Sequence, residues 1–161
     1  MHFELKPMPR PRRSLLKGFV GGVAILTASS GHTKEKPISP IHRVVFQVDS
    51  NDETLMKHAI SGAVNISRNY DQLNEPYAVE IVANAAGIAM FRSDISPVGE
   101  TLSMLRKAIP TLSLSMCGSS KTIAEQKEGH ELPLIDGVVV VPFGIVRLVE
   151  LQEKGWSYIH A

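Results

Sequence analysis

A chain of 161 residues that is 43% hydrophobic and 20% charged, with a formal net charge of +1, can build one globular core and lacks the basic excess of a nucleic-acid-binding surface. Its single cysteine excludes an intrachain disulfide and any paired-cysteine redox or zinc motif. The six histidines (2, 32, 42, 58, 130 and 160) have no ligand spacing, so neither a metal site nor a cofactor is read.

Residues 1–31 read as an export signal rather than as part of the fold. Arg12 and Arg13 precede "SLLK", an apolar stretch over 18–28 and then small residues. The arginine pair resembles the twin-arginine export motif, with Pro11 where Ser or Thr is usual and Leu15 where Phe is usual. The apolar stretch is shorter than the ~20 residues of a membrane-spanning helix. Periplasmic export is therefore expected, with membrane attachment only through an uncleaved leader. Residues 32–41 read as a polar linker with two prolines, and 42–161 as the folded domain.

From residue 42 the hydrophobic period alternates between strand and helix. "HRVVFQVDS" (42–50) predicts a strand, and 52–70 a helix with Leu55, Met56, Ala59, Ile60, Ala63 and Ile66 on one face and Asp52 at its N-cap. "AVEIVANA" (78–85) predicts a second strand, 86–94 a short helical piece, and 98–109 a helix. "TLSLSM" (111–116) alternates as a third strand, followed by a helix over 119–128 with Ser at its cap. "GVVVVP" (137–142) has the continuous apolar character of a strand buried on both faces. The last helix, 143–155, carries Ile145, Leu148, Val149 and Gln152 on a stripe, and with the tail "WSYIHA" it has more apolar surface than a chain end usually needs, so this segment is expected to contribute to a homo-oligomer interface. Strands alternating with helices imply a three-layer α/β/α sandwich with a mostly parallel sheet of about five strands.

Ligands in such sheets sit at the carboxyl ends of the strands, and the one thiol, Cys117, falls there. The helix amides of Ser119, Ser120 and Lys121 are expected to favour its thiolate. One helix terminus contributes only ~0.3–1 kcal/mol, so the Lys121 ammonium is expected to add to it. Other constellations carry less. "GSSKT" lacks the Gly-Lys pair of a phosphate loop. Asp49, Asp52 and Glu53 could serve acid–base chemistry, although Asp52 reads more simply as a cap. Ser93, Asp94 and Ser96 read as turn and cap residues, and Trp156 and Tyr158 as plugs for a core end or an interface.

The segments "HRVVFQVDS", "VEIVANAAGIAMFRSDISPVGETLSML", "LSLSMCGSSKTI" and "GIVRLVELQEKGWSYIHA" together resemble the DsrE/DsrF-like family of small sulfur-metabolism proteins, from about residue 42 to the end. The resemblance implies a three-layer α/β/α fold and assembly into homo- or hetero-oligomers. It further implies a single cysteine, here Cys117, that receives and passes sulfane sulfur as a persulfide, with a protein donor or acceptor as partner. Two other readings stay open beside it: a non-catalytic oligomeric or ligand-binding module with a packing cysteine, and a small hydrolase or transferase using the strand-end pocket.

Overall fold

The computed structural model describes residues 41–161. The expected leader (1–31) and all of the linker except Ile41 lie outside them. Five parallel strands form one sheet in the order β4-β3-β2-β1-β5: β1 His42–Val48, β2 Tyr77–Ala83, β3 Leu112–Cys117, β4 Val138–Val141 and β5 Ser157–His160. Helices α1 (Glu53–Leu73), α2 (Gly99–Ala108), α3 (Gly118–Glu128) and α4 (Gly144–Glu153) connect them, with a 3₁₀ segment over Ala85–Phe91. The result is the three-layer α/β/α sandwich. No helix among the described residues is long and apolar enough to cross a membrane.

The direction of each crossover decides the face on which its helix lies. Parallel connections are right-handed in nearly all proteins. From β1 to β4 the chain steps across the sheet in one direction, so α1, α2 and α3 fall on one face. The return from β4 to β5 reverses direction and sends α4 to the other. The packing follows this rule. Val48, Val79, Ile81, Leu114 and Met116 face Met56, Ile60, Met90, Phe91 and Leu102 in the larger core. On the opposite face Val45 and Val82 meet Leu148 and Leu151, flanked by Trp156.

Local chemistry explains the element ends. The Asp52 carboxylate accepts from the Thr54 amide at 2.7 Å, which confirms it as the α1 cap. Glu53 pairs with Lys57, and Asp49 lies 3.2 Å from His160, so this acidic trio forms no shared acid–base centre. Ser96 accepts from the Val98 amide and donates to the Met90 carbonyl, a turn role as expected.

Three expectations are corrected. β4 is not buried on both faces: it is an edge strand, and Val139 and Val140 are about half exposed because no strand lies beyond it. In α4 the inward residues are Gly144, Leu148 and Leu151, whereas Ile145 and Val149 point outward. The helix is rotated by the demand of Arg147 for a partner on the sheet. The tail is more than a plug: Trp156 packs against the smaller core as expected, but residues 157–160, with Tyr158, form β5 and pair with Val44–Gln47 of β1.

That partner of Arg147 is Glu80, a 2% exposed carboxylate in the middle of β2. Arg147 donates to both of its oxygens at 2.8 Å, and the Ser115 hydroxyl of β3 donates to Oε1 at 2.7 Å. Removing one partner strands a buried charge, so Arg147→Ala is expected to cost roughly 3–5 kcal/mol in urea unfolding. Replacing the pair with Glu80→Met and Arg147→Leu is expected to recover most of that loss.

Candidate functional site at the carboxyl ends of the strands

Adjacent strands β3 and β4 lead to helices on opposite faces, α3 with the larger core and α4 with the smaller one. In an open parallel sheet this switch in direction leaves a crevice outside the strand ends, the usual place for a ligand. Cys117, the last residue of β3, stands at this point.

The thiol is the N-cap position of α3, whose first helical residue is Gly118 rather than a serine. Across from it begins α4. A Cβ placed on Gly144 would come within 3.0 Å of the Cys117 Cβ and 3.2 Å of the Asn84 Cβ, so only glycine lets the start of α4 approach so closely. Two helix N-termini therefore converge on one sulfur. Burial of Cys117, 6% exposed, pushes its pKa up; the Ser120 hydroxyl and the amides of Gly144, Ser120 and Ser119 oppose this, and the balance lies below the ordinary thiol value.

Ser120 is oriented by strain nearby. Ala85 adopts φ 48, a left-handed conformation disfavoured for a residue with a Cβ, and its amide donates to Ser120 Oγ at 2.9 Å. With that oxygen accepting from Ala85, the hydroxyl proton of Ser120 is left for the sulfur. The Ser119 amide also donates to the Pro142 carbonyl at 3.1 Å, which ties α3 to the β4–α4 turn.

Of the four residues singled out in the sequence, Cys117, Ser119 and Ser120 come together. Lys121 does not join them: its ammonium pairs with Glu125, and Glu131 lies 3.8 Å away, because the first turn of α3 carries it away from the strand end. Its expected role passes to the start of α4. Gly144 was missed because it lies 27 residues further along the chain, in "PFGIV", and only the topology brings it to the thiol.

Two surface depressions flank the site. One, of about 290 Å³, is lined by Ala85, Ala86, Ile88, Ser120 and Ile123. The other, of about 600 Å³, lies at the crevice between Gly118, Ser119, Val140, Pro142 and Phe143. Cys117 lines neither, in keeping with its burial. Among the described residues no group of three or more His, Cys, Asp or Glu side chains is placed to hold a metal ion.

The fold and site thus define a three-layer α/β/α protein with one thiol at its topological switch point. No family model and no curated protein matches the chain. Among solved structures it is similar to MTH1491, a protein of unknown function from Methanobacterium thermoautotrophicum, at 28% identity and a TM-score of 0.63, over 74% of this chain and 99% of that one. The likeness fits the sandwich architecture.

Alkylation by iodoacetamide at neutral pH measures the contribution of each helix. Gly144→Ala is expected to slow it roughly two- to five-fold, the worth of one helix terminus at ~0.3–1 kcal/mol. Ser120→Ala is expected to slow it as well. Lys121→Ala is expected to leave the rate unchanged, and a large drop would return the lysine to the site.

Proposed function

We propose that this chain is a DsrE/DsrF-like sulfur-handling protein in which Cys117 carries sulfane sulfur as a persulfide. The observation that carries the reading is the placement of the thiol between the N-termini of α3 and α4. Such a sulfur is held toward its anion more than an ordinary thiol is, which a carrier needs. In the transfer the thiolate attacks the outer sulfur of a donor R–S–SH. The donor S–S bond breaks, RS⁻ leaves with the electron pair, and Cys117 becomes Cys–S–SH. The reverse reaction delivers the sulfur to an acceptor thiolate, so the protein acts between partner proteins. The export signal read in residues 1–31 supports a periplasmic setting for this relay.

A homo-oligomer is part of the same proposal. Phe143, Ile145, Val146 and Val149 leave an apolar surface on α4, beside the open and uncharged edge of β4. The 6% exposure of Cys117 favours a second reading, in which the thiol only fills space and the protein is a non-catalytic module.

Mass spectrometry of the mature protein after exposure to thiosulfate or polysulfide separates the two. Gain of one sulfur on Cys117, abolished by Cys117→Ser with the fold intact, is expected. A thiol that takes up sulfur or alkylating agent only after denaturation would leave the packing role. For assembly, sedimentation at micromolar concentration is expected to show a species larger than the monomer, converted to monomer by Val146→Glu with Val149→Glu. A wild-type protein that sediments only as monomer would refute the assembly.

A further inference from the structure

The depression of about 290 Å³ lies where the loops after β1, β2 and β3 meet, at the carboxyl ends of the three central strands, and the persulfide reading gives it no task. One wall is the 3₁₀ segment after β2 and the other is α3, with Asn51 of the loop after β1 completing the lining.

The two walls are tied at both ends and left apart between. At one end the Ala85 amide donates to Ser120 Oγ at 2.9 Å. At the other, the buried Arg92 guanidinium, which follows the 3₁₀ segment, donates to both oxygens of Glu128 in the last turn of α3 at 2.5 and 2.8 Å. The segment is also seated hard on β1, where a Cβ on Gly87 would fall 2.1 Å from the Val48 carbonyl oxygen. A wall fixed in this way cannot slide in to close the gap. Between the ties the lining is short, with Ala86 and Ala89 on one wall and Ala124 on the other. Packed elements ordinarily interdigitate to high density, so fixed walls faced with alanine leave a preformed recess for a small apolar group. Ile123, also of the lining, is 64% exposed, a large apolar side chain with nothing over it.

The charges select the ligand. The charged residues of the lining are Arg92 and Lys127, both cations, and no carboxylate joins them. Arg92 is neutralised by Asp94 and Glu128, which lie outside the lining. Lys121 is likewise paired with Glu125, whereas Lys127 forms no ion pair among the described residues. We propose that this depression binds a small amphipathic carboxylate, its arene or branched alkyl body between the 3₁₀ segment and α3 and its anionic end toward Lys127. The inference is independent of the persulfide reading, and Cys117 does not line the site. Burial of the apolar body supplies the affinity, and Lys127 supplies the preference for an anion. The volume lies just below the ~300 Å³ lower end of small-molecule pockets, which suits one ring or a short chain and excludes a nucleotide.

Fluorine NMR of 4-fluorobenzoate titrated with the purified protein, beside neutral 4-fluorobenzamide of the same shape, tests the site and the ligand class together. Both probes are expected to bind saturably, the benzoate roughly two- to five-fold tighter, the worth of one exposed ion pair. Ala86 is exposed, so Ala86→Leu fills the depression without entering the core and is expected to weaken both probes about ten-fold. Ile123→Ala truncates an exposed wall residue and is expected to weaken both about three-fold. Lys127→Gln is expected to leave the benzamide unchanged and to bring the benzoate down to the same affinity. All three variants are expected to keep the wild-type urea midpoint, which separates loss of binding from loss of fold. Absence of saturable binding, or binding that neither Ala86→Leu nor Ile123→Ala moves, overturns the site. Equal affinity of the wild-type protein for the two probes, or a preference for the benzoate that survives Lys127→Gln, overturns the assignment of the ligand to Lys127.

Discussion

The ion pair between Glu80 and Arg147 is the constraint on which the rest of the arrangement depends. A carboxylate in the middle of a central strand, 2% exposed, is tolerable only with a partner of complementary shape. Arg147 supplies two parallel hydrogen bonds and Ser115 a third, so the charge is neutralised and both oxygens are occupied. The pair sets both the rotation and the position of α4. With Arg147 over Glu80, Leu148 and Leu151 fall on Val45 and Val82, and Gly144, one turn earlier, falls on Cys117. An apolar pair would also fill the space, but it would leave α4 free to slide along the valines. The directional bond fixes one register.

That register determines the chemistry of the thiol. Burial alone would leave Cys117 an inert packing residue with a raised pKa. The close approach of α4 brings a second set of amides to the sulfur, and the strained Ala85 holds the Ser120 hydroxyl in place for the same purpose. Folded-state stabilisation of the thiolate has a consequence for stability. Because the folded protein releases this proton more readily than the unfolded chain, the contribution is fully present above the unfolded thiol's pKa and is lost as pH falls through the folded value.

Much of the architecture was legible because it is written in local patterns. The period of the apolar residues gave the first three strands and every helix to within a few residues, and Asp52 showed itself as a cap by its place before "ETLMKHAI". The site was legible only in part. Cys117, Ser119 and Ser120 lie within four residues of one another, so a β–α junction was enough to bring them together. Gly144 reaches the site through strand order, which no local pattern encodes. Edge strands misled in both directions: four consecutive valines read as a buried strand although β4 has one neighbour, and the short run Ser157–His160 at the chain end gave no strand signal although β5 pairs with β1. The one charge in "YAVEIVA" was a visible sign of a distant partner, but its identity, 67 residues away, was not.

The account's central claim is that two helix N-termini hold a buried thiol toward its anion. Direct titration of the thiolate by its ultraviolet absorbance, with Cys117→Ser as the blank, tests it without reagent or substrate. The account predicts a midpoint clearly below the ~8.5 of an ordinary thiol in the native protein, rising to that value on unfolding. A native midpoint at or above the unfolded one would contradict it, and would make Cys117 a buried packing residue.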